Sequence, residues 1–98
     1  MDNLADALGQ FVQGAISAGF QFPFYMSAVA VNGSVIVSRW TQSNNGEIEM
    51  HFIAEHIEGE MMALPINVML IDSTGQAARM LIEGPEPEFF WPDSLPSD

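Results

Sequence analysis

Hydrophobic positions recur every three or four residues at the start of the chain and at every second residue in several later segments. The first pattern is typical of an amphipathic helix, and the second of strands that bury one face. The helical stripe consists of Leu4, Leu8, Phe11, Ala15 and Ala18. Asp2 or Asn3 can cap its start, and Gly19 can supply the left-handed residue that ends it. The spacing therefore predicts a helix from about Asn3 to Ala18.

The segment from Phe24 to Trp40 predicts a β-hairpin. Two runs of strand-forming residues flank Asn32-Gly33, a dipeptide that tolerates the positive φ angles of a two-residue type I′ turn. The expected cross-strand pairs are Val31 with Ser34, Val29 with Ile36, Ser27 with Ser38 and Tyr25 with Trp40. This register leaves a face of small side chains on which the helix can lie closely. That face consists of Ala28, Ala30, Val35 and Val37.

Two later segments predict three-residue loops that end in a left-handed glycine. Asn44-Asn45-Gly46 leads into a third strand and pairs Trp40 with Met50. Ser73-Thr74-Gly75 joins a fourth strand to a fifth. The odd length of the first loop keeps one apolar face continuous over three strands. The residues expected on that face are Tyr25, Val29, Ile36, Trp40, Ile48, Met50 and Phe52.

The element order is helix, three strands, a short crossover, two strands and an extended tail. We therefore expect an α+β fold in which an N-terminal helix packs on a five-stranded, mainly antiparallel sheet. Residues 1–84 form the predicted single domain. Residues 85–98 form a proline-rich, acidic-aromatic tail that packs on the domain or on a sister subunit, with no regular element beyond Gly84. In topology and charge this order resembles the small acidic secretion chaperones, which bind effector segments as dimers.

The charge balance narrows the classes of partner. Thirteen Asp and Glu residues stand against Arg39 and Arg79, there is no lysine, and the formal net charge is −11. Because nucleic-acid binding requires cationic groups that replace counterions, the composition argues against direct binding of DNA or RNA, and equally against anionic membranes. It favours either solubility alone or attraction to a basic protein partner.

Location and redox chemistry follow from the same composition. No apolar run reaches the roughly 18 residues of a membrane span, and the first residues are acidic where a signal peptide is positively charged. We therefore expect a cytoplasmic protein without membrane contact. The absence of cysteine removes disulfides, thiolate metal sites and cysteine nucleophiles.

A group of imidazole and carboxylate residues is the candidate for metal chemistry. Its members are His51, Glu55, His56, Glu58 and Glu60. Their spacing matches neither HExxH nor HxxEH, and on a regular strand the two histidines face opposite sides. No serine lies in a GxSxG or SxxK context, and no glycine-rich phosphate loop is present. The sequence therefore predicts no metal site, no cofactor and no catalytic residue, and a protein that is not an enzyme.

The candidate interaction residues lie in the crossover and in the tail. Met61 and Met62 are adjacent in the crossover, and Phe89, Phe90 and Trp91 are consecutive in the tail. One helix cannot cover both faces of a five-stranded sheet, so we expect a homodimer. The predicted function is a small acidic, non-enzymatic protein-interaction domain.

Two alternative functions share this composition. The first is an acidic mimic of nucleic acid that inhibits a nucleic-acid-binding protein, as phage anti-defence proteins do. The second is a small chaperone-like binder. Mimicry requires carboxylates in rows on one face, whereas chaperoning requires an exposed apolar groove.

Overall fold

One helix and six strands make up the part of the chain that the structure describes. The computed structural model describes residues 2–59 and 63–92. Its elements are α1 (Asp2–Ser17), β1 (Phe24–Ala30), β2 (Val35–Gln42), β3 (Ile48–His56), β4 (Ile66–Ile71), β5 (Ala77–Ile82) and β6 (Glu88–Phe90). The strands form one antiparallel sheet in the order β3-β2-β1-β4-β5-β6. The expected α+β fold, a helix on a mainly antiparallel sheet, is confirmed, and the sheet has one strand more than expected.

The β1–β2, β2–β3 and β4–β5 hairpins use the same type of three-residue loop. Gly33, Gly46 and Gly75 each occupy the last loop position with φ of 93°, 92° and 92°. In each loop the amide of this glycine donates to the carbonyl oxygen of the residue before the loop, at 2.9–3.1 Å. The two loops predicted at this length are confirmed, including the pairing of Trp40 with Met50. This common geometry is why these three hairpins have an odd loop length.

The predicted two-residue turn at Asn32-Gly33 is wrong. Only Gly33 has a positive φ, and the amide of Ala30 donates to the carbonyl oxygen of Ser34 at 2.9 Å. The loop is therefore residues 31–33, and the register moves by one residue. Because side chains alternate between faces, this shift changes which residues of β2 share a face with β1. The observed pairs include Phe24 with Trp40, Ala28 with Ile36 and Val29 with Val35.

The side chain of Asn32 explains the longer loop. Its Nδ2 donates to the carbonyl oxygen of Glu58 at 2.8 Å, and its Oδ1 accepts from the amide of Ser34 at 3.0 Å. The buried Ser34 Oγ in turn accepts from the amide of Glu58 at 2.8 Å. The loop thus holds the chain that leaves β3 and crosses the end of the hairpin toward β4. A hydrogen bond from the Val31 amide to the carbonyl oxygen of Pro65 fixes the far side of this crossing.

The core lies between α1 and the strands β1, β4 and β5. Ala7, Phe11, Val12 and Ala15 form the buried stripe of α1. Alternate residues of the three strands complete the core, and they are Phe24, Met26, Ala28, Ala30, Ile66, Val68, Leu70, Ala78, Met80 and Ile82. The helix therefore contacts the alanines of β1 as expected. Val35 and Val37, also expected beneath it, lie on the opposite face because of the register shift.

The tail adds a short sixth strand that the sequence did not predict. β6 pairs with β5, with Phe89 opposite Met80 and Phe90 opposite Arg79. Phe89 and Trp91 contact Phe11 of the helix, with ring centroids 5.9 and 5.5 Å apart. The tail therefore packs on its own chain as far as Pro92. Its expected remainder, residues 93–98, lies outside the described residues.

The helix is too narrow to cover the whole sheet. Six strands spaced about 4.8 Å apart span roughly 24 Å, whereas a helix with its side chains is about 10–12 Å wide. With α1 centred on β1, β4 and β5, the strands β2 and β3 extend beyond its cover.

Across residues 2–59 and 63–92, no helix combines the length and apolar character needed to cross a membrane.

Candidate functional site

An apolar groove lies where α1 leaves β2 and β3 uncovered. We call it the groove, and its volume is ≈ 290 Å³. The helix contributes Leu4, Ala5 and Leu8 to one wall. Strands β1 to β3 contribute the floor and the other wall, through Met26, Ala28, Ile36, Ser38, Trp40, Met50 and Phe52. The groove is thus a corner between helix and sheet that no element of the described chain fills.

The groove offers almost no free hydrogen-bonding group. Ser38 is its one polar lining residue, and its Oγ accepts a hydrogen bond from Trp40 Nε1 at 2.9 Å. The same bond satisfies the indole nitrogen. A molecule that enters the groove therefore gains by burying apolar surface rather than by polar recognition. Trp40, Met50 and Phe52 supply the largest side chains for that contact.

The charge around the groove is negative. Both arginines of the chain point to the opposite side of the sheet, which we call the outer face. On the groove side, Glu55 lies opposite Ile36 in the β2–β3 ladder, beside a lining residue. The groove therefore combines an apolar floor with a rim that carries no Lys or Arg of the chain.

Strand β3 forms the free edge of the sheet next to the groove. It pairs with β2 alone among the described strands, and all of its residues except Ile48 are exposed. Phe52 and Ile53 are 63% and 53% exposed. The ladder shifts at Ile53, because Phe52 pairs with Ser38 and Ala54 with Val37. This β-bulge leaves Ile48–Phe52 as the regular part of the edge.

The outer face is also apolar, and it carries both arginines. Arg39 Nε donates to the Tyr25 hydroxyl at 3.2 Å, and the Arg79 guanidinium lies 5.0 Å from the ring centre of Phe90. The uncharged side chains around them are half exposed, and they include Tyr25, Val29, Met69 and Ile71. A depression on this face is smaller than the groove, at ≈ 150 Å³, and Arg79 is among its lining residues. The arginines are therefore held against aromatic rings on the side away from the groove.

The two histidines share the outer face, which corrects the expectation that they face opposite sides. His51 pairs with Arg39 and His56 with Val35, and the bulge at Ile53 supplies the extra residue that brings them to one side. His51 Nε2 lies 3.7 Å from Glu49 Oε1, and His56 Nε2 lies 2.6 Å from Glu58 Oε2. Each histidine thus has one carboxylate neighbour at an exposed position. In the described part of the chain no three potential ligands come together as a metal site.

Among the described residues, Asp72 is the titrating group whose pKa is clearly shifted. Burial acts to raise the pKa of this carboxyl, but hydrogen bonds from Gln21, Thr74 and Gln76 outweigh it and hold the pKa below 3.8. Oδ2 accepts from the Gln21 amide at 2.7 Å, and Oδ1 accepts from the amides of Thr74 and Gln76 at 3.0 and 2.8 Å. These partners are backbone groups and a turn hydroxyl. The carboxylate therefore joins the connection between α1 and β1 to the β4–β5 loop, which is a structural role.

The predicted interaction residues fall in three places. Met61 and Met62 lie outside the described residues. Phe89 and Trp91 pack against α1, whereas Phe90 is 44% exposed on the outer face. Trp91 keeps about a third of its surface exposed, at 36%. Among the described members, the structure therefore divides the three tail aromatics between the helix side and the outer face.

Sequence reasoning grouped only part of the groove. Four residues expected on one apolar face do line the groove, and they are Ile36, Trp40, Met50 and Phe52. Tyr25 and Val29, expected on the same face, lie on the outer face because of the register shift. The helix residues that close it, Leu4 and Leu8, were expected only as part of the buried stripe. Their role depends on how far the sheet extends past the helix. That distance follows from the strand order, which no local pattern contains.

A function has to be argued from three surfaces of the chain itself. These surfaces are the groove, the free edge of β3 and the outer face with its two arginines. No protein-family model, no curated protein and no solved structure matches the chain.

Proposed function

We propose that the protein is a small acidic, non-enzymatic interaction domain that works as a homodimer and binds an apolar, basic segment of another protein in the groove. The observation that carries this proposal is the unfilled corner between α1 and strands β2 and β3. Such a concave, apolar, water-accessible corner is a typical ligand surface. A cytoplasmic location remains part of the proposal.

The opposite flank of the helix supports the choice of an extended apolar segment. There the chain's own tail lies beside α1, adds strand β6 to the sheet and places Phe89 and Trp91 against Phe11. Trp91 also contacts Phe20, with ring centroids 6.2 Å apart. The groove is the corresponding corner on the other flank. A partner segment with large apolar side chains can fill the groove as the tail fills the other flank, by packing those side chains against the helix.

The charge distribution supports a basic partner. The net charge is −11, and neither arginine lies on the groove side. Lysine or arginine residues flanking the apolar segment therefore approach a surface of opposite sign, which accelerates association and favours such segments over acidic ones. Apolar contact then supplies most of the binding free energy.

The mimicry alternative has less support from the geometry. On the described strands the exposed carboxylates lie toward both lateral edges of the sheet. Glu49 and Glu55 lie on β3, on different faces, and Glu88 lies on β6. Rows of carboxylates on one face are what a phosphate mimic requires, so we retain mimicry as the second candidate only.

A peptide titration tests the proposal. The probe is a fluorescently labelled peptide of alternating leucine and lysine, and its control has serine in place of leucine. We expect saturable binding of the leucine peptide, and binding of the serine peptide that is weaker by at least about tenfold, or 1.4 kcal/mol. Equal affinity for the two peptides contradicts the proposal, because charge alone would then explain binding.

Two matched helix variants locate the binding. Ala5→Trp adds an indole at an exposed position that lines the groove, and Gln13→Trp adds one at an exposed position outside it. We expect Ala5→Trp to weaken the leucine peptide by at least about tenfold and Gln13→Trp to leave its affinity unchanged. Equal affinities for both variants exclude the groove as the binding site.

A further inference from the structure

The free edge of β3 is nine residues long and contains neither proline nor lysine. Its β-bulge at Ile53 disrupts only the later part of the strand, so Ile48–Phe52 remains a regular edge. Natural proteins protect such edges by shortening them, by charging them or by covering them. The other edge is only three residues long, since β6 ends the sheet there. β3 therefore presents a row of backbone groups that can pair with another strand.

The hairpin register defines which backbone groups face outward. The amide of Ser43 donates to the carbonyl oxygen of Glu47 at 2.8 Å, so these two residues form a hydrogen-bonded pair. Bonded and non-bonded pairs alternate along an antiparallel ladder. Glu49 and His51 therefore bond to β2. The N–H and C=O groups of the residues between and beside them point away from the sheet, and these residues are Ile48, Met50 and Phe52.

We propose that two copies of the chain join through this edge, with their β3 strands antiparallel about a two-fold axis at Met50. An axis perpendicular to the sheet keeps each face on its own side, so side chains that meet across the junction belong to the same face. With the axis at Met50, Ile48 of one copy pairs with Phe52 of the other, and Met50 pairs with its own counterpart. All three pairs are of the hydrogen-bonded type, which gives six N–H···O=C bonds from the outward-facing groups alone.

Charge selects this register over its neighbours. With the axis at Met50, Glu49 of each copy lies opposite His51 of the other, so a carboxylate meets an imidazole twice. An axis at Glu49 places the two Glu49 carboxylates opposite each other, and an axis at Ile48 places Glu47 opposite Glu49. An axis at His51 sets the two imidazoles together and retains only the pairs of Met50 with Phe52. An axis at Phe52 brings the bulge at Ile53 into the centre of the junction.

The regular part of the edge tolerates the high net charge of each copy. Ile48–Phe52 contains one carboxylate and one imidazole, and its groove side is apolar throughout. Glu55 and Glu58 lie beyond the bulge. Two chains of charge −11 therefore meet where each contributes a single carboxylate, while their other acidic groups stay apart.

The pairing also joins the two grooves, and this part of the inference rests on the proposed function. Met50 and Phe52 line the groove of each copy, and a perpendicular axis keeps both grooves on one side of the joined sheet. The dimer then presents one continuous apolar trough between two helices. A partner segment longer than one groove can occupy both halves at once.

Cysteine cross-linking tests the axis. The natural chain contains no cysteine, so Met50→Cys gives a single thiol per copy. At a hydrogen-bonded pair the two Cα atoms are about 5.5 Å apart, within the roughly 4.4–6.8 Å that a disulfide spans. We expect mild oxidation of Met50→Cys to give a disulfide-linked dimer.

Met69→Cys is the matched control, because Met69 is 42% exposed on the outer face and Met50 is 40% exposed. Cross-linking of Met69→Cys with none of Met50→Cys overturns the proposal and moves the contact to the outer face.

Charge exchange tests the register, and sedimentation equilibrium reads the mass. We expect the natural chain to be a dimer at micromolar concentration and His51→Glu to weaken association at least tenfold. The double variant Glu49→His/His51→Glu restores the opposite pairs, and we expect it to recover the dimer. A double variant that dissociates as readily as the single one overturns this register. A natural chain that is monomeric overturns the edge dimer, and the peptide titration then still decides separately whether the groove binds its segment.

Discussion

The two flanks of α1 face the same sheet and differ in what covers them. On the side of β5 and β6, the tail returns and packs Phe89 and Trp91 beside Phe11. On the side of β2 and β3, no segment of the described chain covers the strands next to Leu4 and Leu8, and the groove remains. Alternate burial is accordingly regular in β1 and β4 and missing in β3. The difference shows that a second layer is as necessary for burial as the pattern of the strand itself.

Single residues of β3 and β4 also show that burial depends on a second layer. Ile48, Met50 and Phe52 alternate with polar residues as cleanly as any strand of the chain. Yet Phe52 is 63% exposed, while Leu70 of β4 is fully buried. Strand alternation therefore indicates which face is apolar, and the width of the covering layer decides whether that face is buried.

The largest expected effect is the difference in stability between a mutation beside the tail, where the helix flank is covered, and a mutation in the uncovered groove. Phe11→Ala removes a fully buried ring that contacts Phe89 and Trp91, and we expect it to lower the free energy of unfolding by about 3–5 kcal/mol. Phe52→Ala makes the same chemical change at a 63% exposed position, where we expect about 0.5 kcal/mol or less. Denaturant unfolding, at a protein concentration low enough to keep the chain monomeric, measures both. Similar losses at the two positions would show that the groove is filled by the chain itself.

The sequence predicted those loops in which one local signal is enough. Gly46 and Gly75 each end a three-residue loop, and both registers follow from that glycine. Asn32-Gly33 is compatible with loops of two or three residues. There the decision comes from the bond between Asn32 Nδ2 and the carbonyl oxygen of Glu58, a contact 26 residues away along the chain. Local patterns cannot contain such a contact.

Strand β6 and the groove were beyond sequence reasoning for related reasons. β6 has three residues and follows a proline-rich segment, so no strand pattern is visible, and the contacts of Phe89 and Trp91 with Phe11 hold it in place. The groove exists because β2 and β3 lie on one side of β1 while β4 and β5 lie on the other. Periodicity identified the apolar side chains of β3, and strand order determined that they are left uncovered.

Substitution of Asp72 is expected to have an effect of intermediate size on the free energy of unfolding. The hydrogen bonds of Asp72 lie in the region that the helix covers, so the substitution tests that region. Asp72→Asn replaces one acceptor oxygen with a donor that faces the Gln21 or Gln76 amide, and we expect a loss of about 1.5–3 kcal/mol at pH 7. The pKa of Asp72 is lowered in the folded state, so the stabilisation by its charge is complete above pH 3.8 and is lost as the pH falls through the folded-state pKa. The difference in stability between natural chain and variant should therefore be constant at neutral pH and narrow only below about pH 3.8. Urea unfolding at several pH values measures it, and a difference that narrows above pH 5 would contradict this assignment.

The smallest expected effects come from two glycines of α1, and they have opposite signs. A Cβ on Gly9 meets no atom within 4 Å, so Gly9→Ala should stabilise the helix by up to about 1 kcal/mol. A Cβ on Gly14 would lie 2.5 Å from Cζ2 of Trp91, and the indole must move away from Phe11 to admit it. We expect Gly14→Ala to destabilise the chain by roughly 1 kcal/mol, after the gain in helix propensity is subtracted from the cost of overpacking. Thermal unfolding of the two variants measures this difference in sign.

In a Trp91→Ala background the indole no longer obstructs a Cβ at position 14, so Gly14→Ala should then become as stabilising as Gly9→Ala. If Gly14→Ala stays destabilising in that background, the close approach of Trp91 to the helix is not what requires glycine at this position.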